Sequence, residues 1–284
     1  MKCRDIDLVI DGTTHIMGVL NVTPDSFSDG GAYLEVDSAI IHARSMVENG
    51  ATILDIGGES SRPGAEPVPI DVELDRVLPV IRALKSEQLD IPISIDTTKA
   101  EVAQKALEAG AHIINDITAL QGDTAMADVA AEMEAGVILM HMKGTPGTMQ
   151  QSPFYEDVVK EIYDNLADWI DRSVDKGIEL NRIIIDPGIG FGKTTEQNLQ
   201  ILKKLSVFKQ LNRPIMIGTS RKSFIGKLLD LPVTDRVEGT IATVCWSIVQ
   251  GADIVRVHDV KAVSRAVKMI DILSRTKECE SIGL

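Results

Sequence analysis

One pattern recurs along the chain: a helical stretch ends at or near a glycine, and a short β-rich run follows at once. It occurs as ENGATILDIGG (48–58), EAGAHIINDI (108–117), EAGVILMHM (134–142) and VQGADIVRVHDV (249–260). Glycine suits the left-handed position just past a helix. Short apolar runs of this kind mark strands buried on both faces. Including the runs without the glycine, eight strands are expected: roughly 16–21, 53–57, 93–96, 113–116, 138–141, 183–186, 215–218 and 254–257. Between them DSAIIHARSMVE, AEVAQKALEA, VVKEIYDNLADWIDRSV and AVSRAVKMIDIL carry apolar residues at helical spacing. Eight βα units in about 260 residues predict an α/β chain folded as a single (β/α)8 TIM barrel. An open doubly wound sheet is the alternative. Residues 3–12 read as a short N-terminal hairpin closing the lower end, so the expected organisation is one domain over 1–284.

Composition removes several classes of function. The net charge of −13 and pI near 4.8 argue against nucleic acid or an anionic membrane as partner. Cys3, Cys245 and Cys279 show no paired spacing, which points to reduced thiols and a cytoplasmic location rather than a disulfide framework or zinc. The N-terminus interrupts its apolar run with charges and gives no sign of a secretory leader. No apolar run approaches the ~20 residues of a membrane span.

A barrel of this kind works at the C-terminal ends of its strands. There the sequence places Asn21, Asp55 and Glu59, Asp96, Asn115 and Asp116, His141, Asp186, Arg221 and Lys222, and Arg256 and His258. Loops often begin with a polar residue. The clustering of cations late in an acidic chain points further, to a bound anion. IDPGIGFGKT (185–194) resembles a phosphate-binding loop but fails its pattern, because Pro187 stands where the first glycine is required. What remains is Asp186 followed by glycines at alternate positions, which would let backbone approach a flat ligand. Thr194 and Thr195 are candidate helix caps, and Lys193 reads as a solvated loop lysine. The βα loops 21–31 and 58–69 are long for a barrel, as mobile covers over a site often are.

Together these stretches resemble the dihydropteroate synthase family. The resemblance rests on MGVLNVTPDSFSDGG (17–31), LDIGGESSRPGA (54–65), SIDT (94–97), NDI (115–117), DPGIGFGKT (186–194), GTSRKSFIG (218–226) and VRVHDV (255–260), in the family's order over nearly the whole chain. It implies condensation of 6-hydroxymethyl-7,8-dihydropterin diphosphate with p-aminobenzoate to give 7,8-dihydropteroate and diphosphate. It also implies Mg2+ as cofactor, a homodimer, and sulfonamides as inhibitors.

By the same resemblance, the pterin is held by Asp96, Asn115, Asp186, Lys222 and Arg256. The diphosphate falls to Asn21, Ser61, Arg62, Arg256 and His258, with Asn21 also the metal contact. The family usually has Thr where this chain has Ser61, and the hydroxyl is kept. Phe27, Pro63, Phe191 and Ser223 form the implied p-aminobenzoate pocket. Asn21, Arg62, Asp96, Lys222, Arg256 and His258 are the residues expected to act in catalysis. The chemistry agrees: a pterin presents adjacent N–H donors that a carboxylate pairs with in bidentate fashion. His141 could line the site. Asp55 and Glu59 could shape the second loop or touch the pterin. Two alternatives are a pterin-dependent methyltransferase, which would not need the diphosphate set, and a non-catalytic pterin-binding paralogue, which should show damage in the first two loops.

Overall fold

A computed structural model of the chain describes residues 1–23, 32–60, 64–87, 89 and 91–275, with only the backbone of 32–35 and 275. A two-stranded hairpin, β1 (Lys2–Cys3) and β2 (Ile6–Asp7), precedes the barrel. The barrel strands are β3 (His15–Asn21), β4 (Ile53–Gly57), β5 (Ile93–Asp96), β6 (Ile113–Asp116), β7 (Gly136–Met140), β8 (Ile183–Asp186), β9 (Met216–Ile217) and β10 (Ile254–Val257). All pair in parallel, in the order β8-β7-β6-β5-β4-β3-β10-β9. The ring closes between β8 and β9 through the pairing of Ile185 with Ile215, where Ile185 N–H donates to the Pro214 carbonyl at 3.0 Å. The barrel, not the open sheet, is therefore the fold.

Helices return the chain between strands: α1 (Ala32–Glu48), α2 (Ile70–Ser86), α3 (Ala100–Ala109), α4 (Met126–Glu132), α5 (Val158–Asp175) and α6 (Thr195–Lys203). Two more, α7 (Ser223–Leu229) and α8 (Val237–Val249), lie between β9 and β10, and α9 (Val260–Arg275) follows. Thr194 caps α6 in a reciprocal box with Gln197, as its hydroxyl and position suggest. Among the described residues no helix is long and apolar enough to cross a membrane.

Successive side chains of a strand point to opposite faces, and here the two faces have different partners. One set, including Ile16, Leu54, Ile95, Ile114, Val137, Ile185, Ile217 and Val255, packs against the helices. The other, Met17, Ile53, Ile113, Ile138, Ile184, Met216 and Ile254, meets inside the barrel with Cys3 and Leu8 of the hairpin. This inner set is a dry floor plugged from below. Burying each such side chain contributes about 1.5–3 kcal/mol over leaving it exposed.

The hairpin is held by backbone pairing of Leu8 with Met1 at 2.8 Å and by Arg4, which donates to the Leu107 and Ala111 carbonyls at the end of α3. A cation there suits the negative end of the helix. The recurring glycines divide in role. Gly50, Gly110 and Gly251 are left-handed past their helices, as expected. Gly136 is not. In EAGV the left-handed residue is Glu134, and a side-chain carbon on Gly136 would lie 3.0 Å from Cys3 Sγ. That glycine clears room for the plug. Leu8→Ala is expected to cost about 2–4 kcal/mol, in the range for deleting buried aliphatic side chains, without changing ligand affinity. Chemical denaturation beside a ligand titration checks this.

Candidate active site

One inward step above the floor, the strands present Val19, Asp55, Asp96, Asn115, Met140, Asp186, Gly218 and Arg256. Each but Asp96 stands two residues beyond a floor position, Gly218 just past the end of β9; Asp96 stands two beyond the buried Ser94. The apolar floor thus gives way within one side-chain period to three carboxylates, an amide and a guanidinium. Asp116, one residue after Asn115, has the opposite facing. Its carboxylate accepts from Thr118 N–H, the Thr118 hydroxyl and Leu120 N–H, so it shapes the following turn rather than the site.

Arg256 reaches across the barrel. Its Nε donates to Asp55 Oδ2 at 2.6 Å and a terminal nitrogen donates to Asp96 Oδ2 at 2.6 Å. Asn115 Nδ2 donates to the same Asp55 oxygen at 3.1 Å. Burial opposes the charge of Arg256, but Asp55 and Asp96 outweigh it and raise its pKa. Two carboxylates share one guanidinium here. Burial pushes Asp96 up to about 7, with Arg256 pulling it down and Asp55 adding to the rise. Asp55 is fully buried, and its Oδ1 has no hydrogen-bond partner among the described residues. A buried acceptor left unpaired costs about 1–3 kcal/mol, so this oxygen favours a ligand that donates.

On the opposite wall, Asp186 ends β8 and accepts from Gly188 N–H at 2.7 Å. Burial raises its pKa, against the pull of Lys222. Lys222 Nζ donates to the Ile189 carbonyl and lies 4.4 Å from the centre of the Phe191 ring. Burial lowers the Lys222 ammonium to about 8, opposed by Asp186 and reinforced by Arg256. Gly188, Gly190 and Gly192 are all left-handed. The close approach they permit is to protein rather than to open space. A side-chain carbon would lie 1.9 Å from the His141 carbonyl oxygen at Gly188 and 2.3 Å from that of Lys143 at Gly192.

Two expectations are corrected in this loop. Lys193 is not solvated: it is 3% exposed, and its ammonium is surrounded by acceptors. Its long stem turns inward because buried carbonyls converge there, which no local pattern shows. His141 follows the inward Met140 and so faces outward. It stacks on Trp169 of α5, with ring centres 5.6 Å apart, and lies 3.2 Å from the Asn165 amide. Burial and the neighbouring Lys193 ammonium push its pKa down to about 2, so it is a neutral wall residue.

At the rim, Asn21 ends β3, in register with Gly57 of β4, itself in register with Asp96. Gly57 leaves a recess: a side-chain carbon on it would lie 3.6 Å from Asn21 Oδ1 and 3.8 Å from Asp96 Oδ2. His258 extends β10 on the same face as Arg256, and its backbone N–H donates to Ser220 Oγ at 3.1 Å. Ser223 is exposed at the start of α7. Phe27, Ser61, Arg62 and Pro63 lie outside the described residues. Just before the last three, Glu59 pairs with Lys99, which also meets the buried Glu73 of α2. Asp55 is thus the central residue that the strand-end reading left undecided. The signal for it was the inward parity of Ile53, Asp55 and Gly57. Asp96→Asn tests the shared-charge arrangement. Its folded pKa near 7 stands above the ordinary 3.8. Its contribution to stability is therefore fully present below about pH 4 and lost as pH rises through 7. The variant should accordingly melt higher than the parent at pH 8, by about 2–4 °C per kcal/mol relieved, with the gap closing towards pH 4. Thermal melts across pH check this.

Comparison with known proteins agrees with this geometry. The model of the family described as "pterin binding enzyme" matches residues 17–258. The dihydropteroate synthase of Synechocystis is 51% identical over 92% of this chain and 91% of its own length. The crystal structure of Yersinia pestis dihydropteroate synthase with a sulfonamide drug superposes with a TM-score of 0.91, at 43% identity over 97% of this chain and 99% of that one. The Xanthomonas albilineans dihydropteroate synthase in complex with 7,8-dihydropteroate gives 0.86, at 39% identity over 97% and 98%. The chain belongs to the dihydropteroate synthase family of pterin-binding enzymes.

Proposed function

We propose that the chain joins 6-hydroxymethyl-7,8-dihydropterin diphosphate to p-aminobenzoate, releasing diphosphate and forming 7,8-dihydropteroate. The observation that carries this reading is the gathering of Asp96, Asn115, Asp186 and Lys222 above one apolar floor, with Asp186 and Lys222 close enough to shift each other's pKa. A ring with adjacent N–H donors and a carbonyl needs carboxylates, a two-way amide and a cation. The Xanthomonas relative holds 7,8-dihydropteroate, the product of such a condensation. Asp186 takes the paired N–H groups, Asn115 and Asp96 take neighbouring ring positions, and Lys222 donates to the carbonyl and the ring nitrogen beside it. The Asp55 oxygen without a partner is a further acceptor on this wall.

The reaction breaks the methylene C–O bond, and diphosphate leaves with the electron pair. The dihydropterin delocalises the positive charge left on the methylene. The neutral aniline nitrogen of p-aminobenzoate then attacks, forming the C–N bond and losing a proton. Arg256 lies over the pterin and, with His258, Ser61 and Arg62, answers the charge of the diphosphate. Phe27, Pro63 and Phe191 take the aromatic ring of p-aminobenzoate, and Ser223 its carboxylate. Mg2+ is the fitting cofactor. Among the described residues no group of three or more His, Cys, Asp or Glu side chains could hold a metal. The neutral Asn21 oxygen beside the Gly57 recess suits an ion that binds chiefly through phosphate oxygens and water. Bound there, Mg2+ would neutralise charge on the departing diphosphate.

Exposed Trp246 and Val249 on α8 and Met269 and Leu273 on α9 support a homodimer through these helices. The unpaired thiols of Cys3 and Cys245 support a cytoplasmic location. The deciding assay is diphosphate release from the dihydropterin diphosphate with Mg2+ and p-aminobenzoate. Turnover is expected, with Lys222→Ala lowering kcat/KM by about a thousandfold. Activity towards the pterin should fall above about pH 8, as Lys222 loses its proton. Sulfonamides should raise the apparent KM for p-aminobenzoate and leave kcat unchanged. No release by the parent chain would sink the reading. Sedimentation should give twice the 30.8 kDa chain mass, and a monomer at micromolar concentration would count against the dimer.

A further inference from the structure

The lysine of the false phosphate-loop motif has no part in the reaction just described, yet it is one of the most completely enclosed cations in the molecule. Lys193 Nζ lies 2.8 Å from the Gly188 carbonyl oxygen, 2.9 Å from that of Phe191, 3.0 Å from that of His141 and 3.1 Å from His141 Nδ1. Two of these acceptors belong to the loop after β8 and two to the residue that follows β7. Carbonyl oxygens brought this close repel one another unless a donor or cation stands between them. A lysine amine, compact and rich in donors, fits such a point; burial pushes its pKa well below the ordinary lysine value, with Asp186 pulling the other way. The glycines explain how the two segments come so near: at Gly188 and Gly192 there is no space for any side chain against 141–143.

The loop gathered in this way carries groups facing the site. Ile189 offers its carbonyl to Lys222, Gly190 passes under the Lys222 stem, and the Phe191 ring lies against the Lys222 ammonium. Asp186 touches this loop through its carboxylate, which accepts from Gly188 N–H, but its backbone is held elsewhere. It belongs to the β8 ladder, opposite Met140, and its carbonyl accepts from His141 N–H at 2.9 Å. Removing Lys193 would therefore release Ile189 and Phe191 before it moved Asp186.

We infer that Lys193 is a positioning residue whose amine, donating to the carbonyls of His141, Gly188 and Phe191, fixes the loop 188–191, and thereby the p-aminobenzoate side of the pocket more than the pterin carboxylate. This rests on the reading of Phe191 given under the proposed function. The test is steady-state kinetics of Lys193→Met, which keeps the length of the side chain and removes the donors. The KM for p-aminobenzoate should rise about tenfold or more, while the KM for the dihydropterin diphosphate changes less than about threefold. Equal rises in both constants, or no change in either, would overturn the inference. If Lys193→Met does not fold, His141→Phe, which keeps a ring against Trp169 and removes one acceptor, should show the same split. Unchanged constants in that variant would overturn it as well. Absence of turnover in the parent chain would instead strike the functional reading. Calorimetric binding of the dihydropterin diphosphate to parent and variant, equal if the inference holds, separates the two failures.

Discussion

The two-residue period of the barrel strands is the constraint on which the rest of the molecule depends. A strand rises about 3.3 Å per residue, so the next inward side chain stands about 6.6 Å above the last. Over that distance the interior passes from Ile53, Ile113, Ile184 and Ile254 to Asp55, Asn115, Asp186 and Arg256. A slip of one residue in any strand would turn its ionisable group into the helix layer and an outward aliphatic side chain into the barrel. Fold and site therefore share one register, and the hydrophobic pairs that set the first also set the second.

Charge follows from that geometry. Asp55, Asp96 and Asp186 face Arg256 and Lys222 in a space closed below by the hairpin plug. Burial works against the charged forms of Asp96, Asp186 and Lys222, and at each an unlike neighbour pulls the other way. Among the described residues the buried Asp55 Oδ1 is left without a partner. Such a cavity is complementary to a ring rich in N–H groups.

Much of this was legible in the residues. The β-rich runs placed β4, β5, β6, β8 and β10 to the residue, because they carry β-branched aliphatic residues facing the helices and the barrel floor. The strand before the SRK segment was read longer than the two residues of β9, since apolar content says nothing about where a ring must open. The inward face of Asp96, Asn115 and Asp186 follows from alternation and could be read directly. The fate of Lys193 could not. A lysine in a glycine-rich loop looks solvated, and its burial depends on the His141 carbonyl, brought from a different strand. Likewise, His141 looked like a site residue because it ends a strand, whereas parity turns it towards Trp169. Long-range convergence of polar atoms is the part that sequence pattern leaves out.

The closing seam has a mechanical consequence. Most neighbouring strands are joined by a ladder of several residues, but β8 and β9 meet through Ile185 and Ile215. Asp186 stands on one lip of this seam, and the chain leaving the other lip leads to Lys222. Stiffness in a sheet comes from its rungs, so the ring is most compliant between the two groups of opposite charge that face each other there. The barrel is in this sense a hoop laced by several rungs around most of its circumference and by a single one beside the place where a carboxylate and a lysine face each other.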